Sequence, residues 1–280
     1  MSENPDPEHL SCLNCGTSVT GDYCSACGQH VRDNTNRSIK GLLGVFLENT
    51  FFLDNRFLKS LRYLFAFPGR MTVEFVAGKR KKFVSPVTLF LFVNLIYFIV
   101  NPLSDYSLSL GDQFYSQPYS ELIQEVVRDK LRSTGLDGKA YGEIYQKTSD
   151  NISKSIMIIN VPLIALLVYL MSFKRRKFYY DSLIFAFHFF SVYLFSWICL
   201  DWMGALVSHL PDAIYSVTSD VSFALFVILI PVVYGVLSIK RFLNLSWGWA
   251  IPAGIGVFLA VNAANMVYRF IILFLTLWCT

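Results

Sequence analysis

Apolar residues in this chain gather into long, nearly uninterrupted runs separated by short segments rich in Lys, Arg or Asp. A soluble domain spaces its apolar positions at helix or strand periods, whereas runs approaching twenty residues without charge mark helices that cross a bilayer. Five segments qualify, at about 84–100, 156–173, 183–200, 221–239 and 249–275. The first is short, with Pro86 near its start. Pro231 in the fourth predicts a kink, because proline lacks the helix donor and crowds the preceding turn. The last apolar stretch runs almost to Thr280, longer than a hydrocarbon layer of about 30 Å requires at about 1.5 Å per residue. Tilt, extension past the bilayer, or a break at Pro252 or Gly254–Gly256 would each accommodate it.

Two regions carry a different pattern. LLGVFLENTFFLDNRFLKSLRYLFAF is apolar but interrupted by Glu48, Asp54, Arg56, Lys59 and Arg62. Helical spacing places Phe57, Leu61, Leu64 and Phe65 on one face and the cations around the other. That pattern predicts interfacial amphipathic helices, lying in the headgroup layer or packed on the membrane domain. Pro68-Gly69 ends this segment. A short helix follows with Met71, Phe75 and Val76 toward lipid, capped by Gly78 and trailed by the basic cluster Lys79–Lys82. The insert 101–155 is mixed. Leu122, Val126, Val127 and Leu131 predict an amphipathic helix over about 120–133, and a second short helix leads into the next span. It reads as a small cap or dimer contact.

Composition agrees with a membrane assignment: 54% of residues are hydrophobic and 16% charged, against about 25% charged in soluble domains. Charge placement then orients the spans. Basic runs precede the first span (Lys79–Lys82), follow the second (Lys174–Lys177) and follow the fourth (Lys240, Arg241), while the alternate loops lack them. By the positive-inside rule all three are cytoplasmic, so the amino terminus lies in the cytoplasm, the insert 101–155 is extracytoplasmic, and the carboxyl terminus lies outside. The start, MSENPDPEHLSC, has neither the basic nor the apolar region of a signal peptide.

Ahead of all this stands CLNCGTSVTGDYCSACGQ, with Cys12, Cys15, Cys24 and Cys27 as two CxxC pairs eight residues apart. Each pair presents two thiolates on one tight turn, and Gly16 and Gly28 follow where the backbone must curl. A hairpin joining them makes a tetrahedral site, read first as structural Zn2+. Four thiolates also suit iron, and redox pairs or a disulfide scaffold are the other readings. Full coordination by protein leaves no open position for water, so the site is expected to be structural. No Lys or Arg lies between Cys12 and Cys27, so no nucleic acid is expected as partner.

Within the spans, Asn262, Asn265 and Arg269 fall on one helical face, and His188 adds another polar group; together they form a candidate intramembrane polar face. The opposing reading is packing, with Arg269 reaching the outer headgroups. Arg70, Lys79, Arg80, Lys81 and Lys82 are candidate headgroup contacts, set against plain topology determination. No Ser–His–Asp, HExxH, Walker or dinucleotide pattern appears, so no catalytic residue is assigned. Expected partners are the lipid bilayer, a cytoplasmic protein and another copy of the chain.

The cysteine motif (Cys12, Cys15, Gly16, Cys24, Cys27, Gly28, Gln29) and a second block (Pro68, Gly69, Arg70, Phe75, Gly78, Lys79, Arg80, Lys81, Pro86) resemble an uncharacterised bacterial family of integral membrane proteins. The resemblance covers roughly residues 10–100. It implies a bacterial inner-membrane protein carrying a zinc ribbon, supplies no activity, and suggests that Pro68–Pro86 is a family-defining element. The expected architecture is an all-α polytopic membrane protein of about five transmembrane helices. It divides into a ribbon over 1–30, a linker with interfacial helices over 31–82, and a membrane domain over 83–280. The functional expectation is a membrane-anchored scaffold or sensor whose ribbon docks a cytoplasmic partner; a transporter or channel and a lipid-acting enzyme are the alternatives.

Overall fold

The computed structural model describes residues 10–30, 55–100, 108–172 and 178–280. The first member of the expected amphipathic pair and the basic run 174–177 lie outside the described residues. Strands β1 (Leu10–Ser11) and β2 (Ser18–Val19) pair antiparallel, Leu10 opposite Val19, and form the ribbon hairpin. Among the described residues the remaining regular elements are helices: α1 (Asn55–Ala66), α2 (Arg70–Val76), α3 (Pro86–Val100), α4 (Leu110–Tyr115), α5 (Ser120–Thr134), α6 (Gly138–Ile156), α7 (Asn160–Ser172), α8 (Tyr179–Val207), α9 (Asp212–Phe223), α10 (Ile230–Leu243) and α11 (Trp247–Cys279). The all-α polytopic expectation holds.

Helix α8 is the axis of the bundle. Tyr180 through Leu194 are all buried, and α2, α3, α7 and α10 pack around it. Its residues are apolar on every side, the composition of a helix with no solvent face. Asp181 in the first turn accepts from the Phe178 amide at 3.4 Å, an acid at the positive end of the helix dipole.

Among the described residues, four helices are long and apolar enough to cross a membrane: Gly138–Ser172, Tyr179–Val207, Thr218–Leu243 and Trp247–Cys279. The remaining expected span, α3, has 15 residues, or about 22 Å of rise. Pro162 and Pro231 each follow an irregular turn. A 3-10 turn, Met157–Ile159, joins α6 to α7 just ahead of Pro162, and a π-helical turn, Ala224–Leu229, precedes Pro231. A changed hydrogen-bond register there accommodates a residue that cannot donate.

The final stretch is one unbroken helix of 33 residues with Pro252 near its start. At about 50 Å it is longer than a hydrocarbon layer of about 30 Å. Its end leaves the main core: Leu273 and Leu277 pack with Tyr119, Ile123, Tyr141 and Tyr145 of the insert, and Tyr141 meets Thr280 through their hydroxyls at 2.6 Å. The insert is thus built on the end of α11, with α4, α5 and α6 as its walls. At the other end, α10 and α11 touch backbone to backbone. A Cβ on Gly254 would lie 2.4–2.5 Å from Val236, and one on Gly235 would lie 3.1 Å from the Gly254 carbonyl.

Candidate functional site

The two CxxC turns of the ribbon repeat one backbone design. Cys12 N–H donates to Thr17 O at 2.8 Å and Gly16 N–H to Cys12 O at 2.7 Å. In the second turn Cys24 N–H donates to Gln29 O at 2.9 Å and Gly28 N–H to Cys24 O at 2.8 Å. Each turn closes through a left-handed glycine, Gly16 at φ 81 and Gly28 at φ 67, where any other residue would be strained. This repetition brings four sulfurs within 4.8 Å of one another. Cys12 and Cys27 are 3.5 Å apart, as are Cys15 and Cys24, and all four are free thiols.

A tetrahedral ion with metal–sulfur bonds of about 2.3 Å needs sulfurs about 3.8 Å apart. The cluster is therefore sized for such an ion and can hold one. The ribbon's own core is only Cys12, Val19 and Cys24, with Cys27 against them, too little apolar burial to fold unaided. The Thr17 hydroxyl and amide pull the Cys15 thiol down to about 6, while burial pushes Cys27 up to about 11.

The ribbon does not stand apart from the bundle. Gln29, the residue after the second CxxCG, is 1% exposed. Its side-chain amide donates to Gly78 O at 2.7 Å, and its carbonyl accepts from the amides of Arg80 at 3.2 Å and Lys81 at 3.4 Å. Leu13 of the first turn covers Gly78. Gln29 thus reads the backbone of the basic turn, a contact between residues about fifty positions apart.

That turn exists because α2 ends in a Schellman motif. Lys79 N–H donates to Glu74 O and Gly78 N–H to Phe75 O, both at 3.0 Å, with Gly78 at φ 94. On its other side the block is fixed to the bundle. Gly69, at φ 74, lies so close to α10 that a Cβ would fall 2.6 Å from Ser238 O and 2.8 Å from its Cα. Arg241 donates to the Pro68 carbonyl, and Tyr234 donates to Leu64 O at 3.0 Å. The expectation that Met71 and Phe75 face lipid is corrected: both are 2% exposed and belong to the bundle core. On α1, Phe57 and Leu64 face that core while Phe65 is half exposed, so the helix packs on the bundle.

The five candidate headgroup cations divide by environment. Arg70 pairs with Glu74 at 3.0 Å, and Lys82 pairs with the same carboxylate. Burial works against ionisation of Glu74, but hydrogen bonds from Lys82 and Arg70 prevail and hold its carboxyl below the usual range. Both cations also lie over the Tyr63 ring, Arg70 at 5.6 Å and Lys82 at 4.8 Å. Arg80 lies over Phe75 and Tyr180, at 5.8 and 5.9 Å. Lys79 is half exposed and Lys81 exposed.

The intramembrane candidates do not gather into one site. His188 is buried on α8, with Nδ1 2.8 Å from the Thr72 hydroxyl of α2, so its bonded partner belongs to the juxtamembrane block and not to α11. Asn262 is exposed and donates to Phe258 O of its own helix at 2.8 Å. Asn265 and Arg269 are half buried. Arg269 lies within electrostatic reach of Tyr119, where burial drives the phenol up to about 12 and Arg269 opposes the rise. Arg269 therefore sits at the level of the insert.

Sequence reasoning quoted Gln29 and Gly69 as motif residues without a role, and it missed the Thr72–His188 bond. The available signals were an amide next to a metal turn, and two polar residues on otherwise apolar faces. Among known families, the model described as Protein of unknown function (DUF3667) matches residues 54–98. That match takes in α1, α2, the basic turn and nearly all of α3, and begins after the cysteines. No curated protein and no solved structure matches the chain.

Proposed function

We propose that this chain is a non-enzymatic membrane scaffold or sensor whose cytoplasmic zinc ribbon transmits its state to the membrane helices through the Pro68–Pro86 block. The observation that carries this reading is the Gln29 latch. Three hydrogen bonds join the metal-binding fold to the turn that Gly69 and Arg241 seat on α10. The ribbon face bearing exposed Tyr23 is left for a cytoplasmic protein partner or a second copy of the chain. Zinc is the fitting ion for a closed four-thiolate site in a reducing compartment.

We assign the chain to a bacterial inner membrane, amino terminus inside, with α3 as a short fifth span. Contacts support this sidedness. Lys79–Lys82, Lys240 and Arg241, and the start of α8 meet at one end of the bundle through Arg80 over Tyr180 and Arg241 on Pro68, while the insert sits at the far end of α11. A reporter fused after Thr280 is expected to be active outside; activity in the cytoplasm refutes five spans. The alternatives have less support, because the α11 polar groups do not converge with His188 and Glu74 already occupies Arg70 and Lys82. Proximity labelling from the ribbon tests the scaffold reading. A partner labelled by the native chain and lost in Cys12→Ala supports it, and an unchanged set of labelled proteins counts against it.

A further inference from the structure

The insert holds a cavity that neither the ribbon nor the membrane bundle uses. It has a volume of about 540 Å³ and opens between α4, α5 and α6, within the ~300–1,000 Å³ range of small-molecule sites. Leu110, Phe114, Val127 and Leu131 supply an apolar wall, and Arg128, Lys139 and Glu143 stand around it. Arg128 is held in place, its guanidinium 5.8 Å from the Phe114 ring centroid and donating to Gln124 at 3.0 Å.

Three further wall residues are glycines: Gly111, Gly138 and Gly142. Gly142 stands inside α6, where glycine costs about 1 kcal/mol relative to alanine. Added Cβ atoms at Gly138 and Gly142 would meet nothing within 4 Å, and one at Gly111 only the Ser109 hydroxyl at 3.7 Å. Packing therefore does not require these glycines. They keep open a space that larger side chains would enter.

We propose that this cavity binds a small monoanionic amphipath, with a flat apolar body such as an aromatic carboxylate. The apolar wall takes the body. Arg128 and Lys139 take the carboxylate, the guanidinium being suited to it through two parallel N–H donors. Glu143 disfavours a second negative charge. The site is independent of the ribbon reading, since it shares no residue with it.

The test is calorimetric titration of the purified full-length chain with 2-naphthoate, and with neutral 2-naphthamide as its counterpart. Saturable binding of naphthoate at one equivalent is expected, with naphthamide at least about tenfold weaker. Arg128→Gln should weaken naphthoate about ten- to a hundredfold through the loss of a charge-assisted bond. Gly142→Leu, which suits the helix and fills the space, should abolish binding while leaving the thermal transition in place. Non-saturating uptake, or saturable binding that both variants leave unchanged, overturns the site; equal affinity for naphthamide overturns its anionic class.

Discussion

Gly69 and Gly78 flank α2 within the juxtamembrane block, both in the left-handed region, and they face opposite parts of the molecule. Gly69 abuts the backbone of Ser238, while Gly78 abuts the side chain of Leu13, where a Cβ would fall 2.7 Å from Cδ1. A helix backbone inside a packed bundle cannot yield, whereas the tip of a leucine can rotate. The contrast extends to what holds each neighbour in place. The bundle rests on a large apolar core running from Phe57 to Ile272. The ribbon's apolar core is Cys12, Val19 and Cys24, two of them sulfur-bearing, beside the buried Gln29. One side of the block is anchored by burial, the other by one glutamine on a ribbon whose four sulfurs lie close enough to hold a metal ion.

The sharpest way to separate the two sides is to withdraw the ion proposed for the four thiolates. Structural zinc contributes about 10–16 kcal/mol apparent to small ribbons, so Cys12→Ala or chelation should unfold residues 10–30. Hydrogen exchange should show protection lost there and at the Arg80 and Lys81 amides, but retained along α8. Loss of protection in α8 as well would show the two sides to be one cooperative unit.

Paired glycine substitutions come next. Gly69→Ala combines left-handed strain of about 1–2 kcal/mol with a backbone clash of about 1–3 kcal/mol. It should lower unfolding stability by about 2–5 kcal/mol. Gly78→Ala carries the strain alone once Leu13 shifts, about 1–2 kcal/mol. Denaturation of the two variants side by side checks the order; equal losses would mean that the ribbon contact is as rigid as the bundle contact.

Gln29→Ala is the more selective cut. It leaves Gly78 O and two amides without their side-chain partner, a cost of about 1–3 kcal/mol. Metal content should stay at the native level, while the Arg80 and Lys81 amides exchange faster. A drop in bound metal would place Gln29 in the ribbon's own folding and not in its docking.

The smallest effect is the response to acid. The Glu74 carboxyl is held below its ordinary range in the folded chain. Its contribution is therefore present above the ordinary glutamate value of about 4.3 and is lost as pH falls through the lower folded value. A partly exposed pair of this kind contributes under about 1 kcal/mol after screening. Stability measured between pH 6 and 3 should fall slightly less steeply in Glu74→Gln than in the native chain, and identical slopes would remove Glu74 from the account.

Much of the architecture was legible because its determinants are local. Apolar run length specifies a spanning helix, a CxxCG turn needs only adjacent residues and a left-handed glycine, and the end of α2 follows from Gly78. The insert helix was readable for the same reason, but its face only in part: Val127 and Leu131 turn toward one core, whereas Leu122 and Val126 are exposed and Ile123 is buried. The later helices run past the expected limits, since α6 extends through a polar stretch and α11 carries its apolar run on to the insert.

Which way a face points was not local. Met71 and Phe75 read equally well against lipid or against protein, because both surroundings are apolar. The pairings of Gln29 with Gly78, Gly69 with Ser238 and Thr72 with His188 were likewise hidden, each joining residues from about fifty to 170 positions apart. Sequence alone determined that this chain has a thiolate cluster, a basic turn and long apolar helices, since each needs only neighbouring residues and an indifferent solvent. Tertiary structure alone decided that the block carrying the turn is gripped from both sides and that a cavity lies in the insert. Close approach depends on which backbones meet, and no residue carries that in its own chemistry.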